Sequence, residues 1–416
     1  MMTPDAATGG EAAEGTGGCP HAGGSAGGRT TTLADRRELY RRTPRVVTWE
    51  VTRSCPLKCV HCRAEAQLAR HPDELTTDEG RRLVEQVAEL GPPPPVLVFS
   101  GGDPLQRPDL LELIRHARSL DLPAAVIPAP TAQVDRETVR SLKEAGTRRM
   151  ALSLDGASAG SHDEFRGEPG SWDAALQAAE HARAEGLPIQ VNTTVTETTR
   201  SELPAIADRV EELDAVAWEV FFLVPVGRGV ALEAPSPEAH EEIMAWLYRR
   251  QREAPFSVVT VEGPFYRRVA SRIEVGEGNG SVVAGSTSDG NGFVFVSHTG
   301  EVCPSGFLPV SGGNVRDRSL AEIYRNDELF RDLRDPDGFR GKCGVCEYRK
   351  LCGGSRSRAW ALTGDPLDSD PFCPHVPAEY RSKVGRGEAL PVDEYFEQRR
   401  RAGDGPGADG FDLPDA

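Results

Sequence analysis

The sequence predicts an α/β chain built on a parallel sheet, and three observations predict it. Short apolar, β-rich runs recur as RVVTWEVT, PPVLVFS, PAAVIPA, RMALSLD, PIQVNTTV and AWEVFFLV, six in all. Longer stretches of helical period separate them. At 416 residues the chain also has room for one large α/β domain and a smaller module. Strict alternation of strand and helix implies right-handed βαβ units, so the sheet is either open or a partial barrel. In such folds the chemistry sits at the C-terminal ends of the strands.

Taken in order, residues 1–33 are rich in Gly, Ala, Thr and Ser, with hardly any large apolar side chain to offset ordering entropy, and read as a disordered tail. The six strands follow, each being short enough and apolar enough to be buried on both faces. Between them, helical periodicity covers 78–90, 108–120, 136–145, 172–185 and 201–213. A helix over 237–254 comes next, then a glycine-rich stretch at 276–292 that suits a boundary. FVFVSHTGEVC reads as a β-hairpin turning at Thr299 and Gly300. Another helix is expected near 320–333, then a cysteine-rich segment, and beyond 402 an acidic disordered tail.

Composition narrows the function classes. A formal net charge of -16 opposes generic binding to a phosphate backbone, so nucleic acid is not an expected partner. No apolar run approaches the ~20 residues of a membrane span, and the first residues lack the basic and apolar regions of a secretory signal. The expected compartment is the reducing cytoplasm, where nine cysteines, an odd number, point to metal or redox chemistry rather than to disulfides.

Directly after the first strand stands CPLKCVHC, which places Cys55, Cys59 and Cys62 on a loop in C-x3-C-x2-C spacing. Thiolates are soft ligands for iron-sulfur clusters, and a cubane wants four; no further cysteine occurs until Cys303, so one iron is left open. A zinc site, or three unrelated core cysteines, is the alternative. This spacing after a first strand resembles the radical S-adenosylmethionine (SAM) superfamily. In that family the open iron is chelated by the amino and carboxylate groups of SAM. His61 occupies the place where the family usually has an aromatic residue. SGGDP resembles the family's Gly-Gly-Glu motif, which implies SAM contacts for Gly101, Gly102 and Asp103, with Asp in place of Glu. The resemblance likewise implies SAM contacts for Ser153 and Asp155 of SLDG, Arg166 of HDEFRG and Asn192 of VNTTV; capping or turn roles are the alternative.

CGVCEYRKLCGG and the later DPFC put Cys343, Cys346, Cys352 and Cys373 in a C-x2-C-x5-C-x20-C arrangement. Four thiolates make a closed site, suited to an iron-sulfur cluster or to structural zinc. The segment, with GGNVRDRSLAEIYRNDELFRDLRD before it, resembles the SPASM or twitch extensions of radical SAM enzymes and implies a second, auxiliary [4Fe-4S] cluster. Arg356 stands where a full SPASM domain would have another cysteine. Cys303 is left as an alternative ligand or a neighbour of the substrate. Cys19 carries no argument.

WEVTRSC, SRSRA and DPFCP are most similar to the branch that modifies iron-tetrapyrroles, such as the haem synthases of the alternative haem pathway. That resemblance covers roughly residues 40–380 and implies a partial (β/α)6 TIM-like barrel over 40–235, a linking region over 236–289 and a small cluster module over 290–380. It implies an enzyme that cleaves SAM reductively to a 5′-deoxyadenosyl radical, with an external donor such as a flavodoxin or ferredoxin. A tetrapyrrole propionate would be oxidised, with Arg228, Arg356 and Arg358 as its expected cationic hosts. Two alternatives stay open at this point: maturation of a ribosomally made peptide, and a non-catalytic binding protein stabilised by zinc.

Overall fold

The computed structural model describes residues 32–279 and 287–402. The expected tails lie outside the described residues save at 32, 33 and 402, and so does Cys19. The strands are β1 (Val46–Glu50), β2 (Val96–Ser100), β3 (Ala124–Val126), β4 (Thr147–Ser153), β5 (Ile189–Val195), β6 (Ala217–Phe222), β7 (Ser257–Val261), β8 (Phe293–Val296) and β9 (Val302–Cys303). They form one sheet in the order β7-β6-β5-β4-β3-β2-β1-β8-β9. All pairs are parallel except the β8–β9 hairpin. The first six strands and their helices are the expected partial (β/α)6 barrel, curled but not closed.

Two elements extend it beyond expectation. SVVTV, inside the expected linking region, forms β7 and pairs with β6 from Ala217–Ser257 to Phe221–Val261. The hairpin strand β8 pairs with β1 rather than standing in a separate module. The physical reason is the same in both cases: a half-barrel leaves two strand edges with unpaired backbone groups, and any neighbouring β-rich run satisfies them.

Alternation within each strand sorts the side chains. Val47, Trp49, Leu97, Phe99, Met150, Leu152, Trp218 and Val220 point outward into the main core, where the helices cover them. A capping box at Thr76 and Glu79 starts the first of those helices, Thr77–Ala88. The opposite parity behaves differently: Thr48, Val98, Ser100, Ala125, Ser153, Thr194, Glu219 and Phe221 remain half-buried. The concave face of the sheet is therefore open, and it is the side on which a ligand can rest.

The helix expected over 320–333 is two, Leu320–Asn326 and Glu328–Leu333, because Asp327 breaks the run and caps the second from its side chain. Tyr324 of the first donates to the Tyr40 carbonyl at 2.6 Å and fastens this region to the helix Leu33–Arg42. Among the described residues no helix is long and apolar enough to cross a membrane.

Candidate active site

Cys55, Cys59 and Cys62 stand on the loop that leaves β1, and three neighbouring segments fix that loop. The first is the turn after β2, where Gly102 N donates to Thr52 O (2.7 Å) and Asp103 N to Ser54 O (2.8 Å). A Cβ on Gly101 would sit 2.4 Å from Thr52 O, and one on Gly102 2.5 Å from Ser54 O. The close approach these glycines permit is thus to the cysteine loop itself. The second is the loop after β6: Gly227 has φ +54°, and Arg228 donates from its backbone N to Cys62 O (3.1 Å) and from Nε to Cys59 O (2.8 Å).

The third is the helix Ala159–Arg166, capped by Ser158 and ended by left-handed Gly167. Phe165 stacks on His61 with ring centroids 4.5 Å apart, and its carbonyl accepts from Val60 N. Arg166 reaches the Sγ of Cys59 (3.5 Å) and ion-pairs with Asp155 at 2.6 Å. Burial, reinforced by the Arg166 cation, pushes the His61 imidazole down to about 4, so it is neutral. Burial also pushes the Cys55 thiol up to about 12. A buried thiol that resists ionising on its own, with two more cysteines on the same short loop, is suited to a cationic metal group, which supplies the missing counter-charge. Among the described residues no fourth cysteine joins them; Cys303 lies on β9, near Arg63 and Glu50.

The other expected SAM residues divide. Ser153, the last residue of β4, and Asn192, midway along β5, are register partners on the lumen side of the sheet. Asp155 and Arg166 are engaged with each other. Asp103 is fully buried and accepts from Leu105 N, Ala129 N and Gln106 Nε2. Its side chain turns back to hold the glycine turn.

At the C-terminal site each of the four sulfurs accepts a hydrogen bond. Tyr348 N and Gly354 N approach Cys346 and Cys352 at 3.4 Å; Arg356 and Arg268 approach Cys343 and Cys373 at 3.8 Å. Donors and cations of this kind stabilise thiolates and tune a bound metal centre. Among the described residues the group of three ligating side chains with ligand atoms mutually within 4.8 Å is Cys346, Glu347 and His375.

The SRSRA segment locks this module to the barrel. Ser355 and Ser357 donate to Glu262, at the end of β7, at 2.5 and 3.1 Å, and Ser357 N donates to Asp289 at 2.9 Å. Burial and the adjacent Asp289 raise the Glu262 carboxyl well above its usual range. Arg358, with no exposed surface, pairs with equally buried Asp370 at 2.7 Å. Arg356 donates to Gly354, Pro366 and Asp368 carbonyls over the Phe339 ring. Both arginines are therefore internal and engaged within the protein, unlike the sequence expectation of cations facing a propionate, although Nε and Nη1 of Arg358 have no hydrogen-bond partner. Arg228 keeps one buried Nη2 without a partner but is turned onto the cysteine loop.

Sequence reading missed Glu50, Arg63 and Glu219. The signal was present for two of them: in VVTWE and AWEVFF a carboxylate sits at the parity opposite the core residues, which places it on the lumen side. Glu219 is pushed up to about 7 by burial, with Arg149 and Gln190 pulling the other way.

The Radical SAM superfamily model matches residues 49–210, the stretch from the end of β1 to the helix Leu203–Glu212 that follows β5. A Methanosarcina barkeri protein named AdoMet-dependent heme synthase is 40% identical over 345 residues, covering 81% of this chain and 98% of its own. The chain belongs to the radical SAM superfamily. Membership implies S-adenosylmethionine and a [4Fe-4S] cluster and makes the chain an enzyme. A second Methanosarcina barkeri relative, named Fe-coproporphyrin III synthase, is 33% identical over 359 residues, 79% of this chain and 87% of its own. The crystal structure of Streptococcus suis SuiB bound to S-adenosylmethionine superposes with a TM-score of 0.63 at 17% identity, over 80% of this chain and 78% of that one. At that identity the likeness is one of fold.

Proposed function

We propose that this radical SAM enzyme oxidatively decarboxylates a propionate side chain of an iron-tetrapyrrole, with Cys55, Cys59 and Cys62 holding the SAM-binding cluster and Cys343, Cys346, Cys352 and Cys373 an auxiliary one. The observation that carries the reading is full-length likeness to a haem synthase, 98% of that relative's length, on a chain whose concave sheet face is open. When bound, SAM and the first cluster supply a 5′-deoxyadenosyl radical. Loss of a hydrogen atom from the propionate, then of carbon dioxide, leaves a vinyl group and one electron that needs an acceptor.

This chain's residues serve that sequence in three ways. Ser153 and Asn192, side by side at the lumen, offer hydroxyl and amide groups to SAM, and Gly101 and Gly102 set the backbone edge beside it. The Asp155–Arg166 pair holds Cys59 and keeps a cation next to a centre that gains negative charge. The four C-terminal thiols form a closed site that stores an electron rather than binding SAM. An external one-electron donor completes the scheme, and we place the enzyme in the cytoplasm.

Anaerobically purified protein should hold about eight irons and eight sulfides per chain. Given SAM, a low-potential reductant and iron-coproporphyrin III, it should release carbon dioxide and products lighter by the elements of formic acid, with stoichiometric 5′-deoxyadenosine. Stoichiometric zinc without sulfide would remove the auxiliary cluster. Deoxyadenosine formed only with a peptide substrate would move the assignment to peptide maturation.

A further inference from the structure

With Arg356 and Arg358 internal, the carboxylates of a propionate-bearing substrate need another host. The large cavity of about 690 Å³ between the loop after β6 (Leu223, Pro225) and the module (Phe372, Phe396) is of ligand size. Its lining carries Glu233, Glu238 and Asp393, and its lysine, Lys342, is engaged with the Cys373 carbonyl. That balance of charge repels an anion.

The lumen offers the opposite. Arg63 directly follows the third cysteine of the N-terminal site. Its Nη1 lies 3.1 Å from Glu50 at the end of β1, and its guanidinium rests 4.5 Å over the ring of Phe295, the register partner of Cys303 across the β8–β9 hairpin. Glu50 is itself fixed by His298 at 2.8 Å, so the partner that positions Arg63 does not move freely. Gly306 passes close by: a Cβ there would sit 2.8 Å from Arg63 Nε. Only glycine leaves the guanidinium room. Beyond it, Phe307 packs on Phe221 of β6 at 6.4 Å, adding an aromatic wall to the mouth of the open sheet.

Arg63 is one-fifth exposed, and Glu50 takes a single amino group of its fork. The remaining N–H donors form a charged edge beside aromatic rings, which is the arrangement that binds a carboxylate carried on a flat apolar body. We propose that Arg63 is the substrate-carboxylate anchor of this enzyme, holding one peripheral carboxylate of the macrocycle at the lumen mouth beside Cys62. The proposal rests on the tetrapyrrole reading and adds to it the residue that selects for the acid side chains.

The test uses the cluster-loaded full chain and two probes, ferric mesoporphyrin, which carries two propionates, and ferric etioporphyrin, which carries none. Wild type should bind the first more tightly. Arg63→Met should weaken ferric mesoporphyrin about tenfold or more while leaving ferric etioporphyrin unchanged, with iron and sulfide content intact. Gly306→Ala keeps every charge but crowds Nε, so it should shift the same probe in the same direction even if Arg63→Met loses its cluster. Both variants binding the two probes as wild type does would overturn the anchor and leave the tetrapyrrole reading standing. No saturable binding of either porphyrin to wild type would overturn both.

Discussion

Arg166 joins Asp155 to Cys59: one amino group of its guanidinium lies 2.6 Å from the carboxylate and the other 3.5 Å from the sulfur. The pair is buried, so the cation cannot be screened by solvent, and it bears directly on the charge of whatever Cys59 ligates. Arg166→Gln should lower the midpoint potential of the N-terminal cluster, because a cation and a donor to sulfur both favour the reduced form. A redox titration followed by the signal that responds to SAM reads this out. An unchanged potential at full iron content would mean the contact is structural only. Asp155→Ala should cost about 3–5 kcal/mol, since it leaves the buried arginine unpaired.

Glu219 makes stability depend on pH. Its carboxyl titrates near 7 in the folded chain and near 4.5 when unfolded, so between those values the folded state binds the extra proton. The stabilisation is fully present below 4.5 and is lost as the pH rises through 7, worth up to about 3 kcal/mol. Glu219→Gln removes the titration. Thermal unfolding at pH 5 and pH 8 should therefore show the variant gaining on wild type at the higher pH, and a gap that does not move with pH would place the Glu219 pKa back near 4.5.

Gly227→Ala should empty the N-terminal site while sparing the module. Its φ is +54°, and a Cβ would meet the Arg63 and Cys62 carbonyls at 2.6 and 2.7 Å, pressing on the loop that carries the cysteines. Gly170→Ala is the matched control, with φ +84° and nothing within 4 Å of a Cβ, so it carries strain of about 1–3 kcal/mol without the collision. Iron and sulfide content should fall by about half in the first variant and hold in the second. Equal loss in both would assign the effect to backbone strain.

Arg358→Met should destabilise the chain by about 3–5 kcal/mol through the unpaired Asp370, read as a lowered melting temperature. Its affinity for ferric porphyrin, per folded molecule, should not change. A large affinity loss without a stability loss would return Arg358 to the substrate face.

What the sequence determined by itself was local. Cysteine spacing, the glycine turn of SGGDP and the period of each strand and helix are short-range patterns, because a thiolate loop, a tight turn and an amphipathic face each need only neighbouring residues. Those patterns contain the half-barrel, both cysteine sites and the radical SAM resemblance. Boundaries failed where a single residue intervened, as at Asp327, or where a run without a clear place, SVVTV, met a free strand edge. The tertiary structure alone decided which charges face inward. Asp103 and Arg358 look like site residues in the sequence, yet folding turns Asp103 onto backbone donors and pairs Arg358 with buried Asp370. Arg63 meets Glu50, Phe295 and Gly306 from segments more than 200 positions apart in the case of the last two, and only closure of β8 onto β1 brings them together. A buried charge must find its partner wherever the fold supplies one, and that partner is set by three-dimensional packing rather than by spacing along the chain.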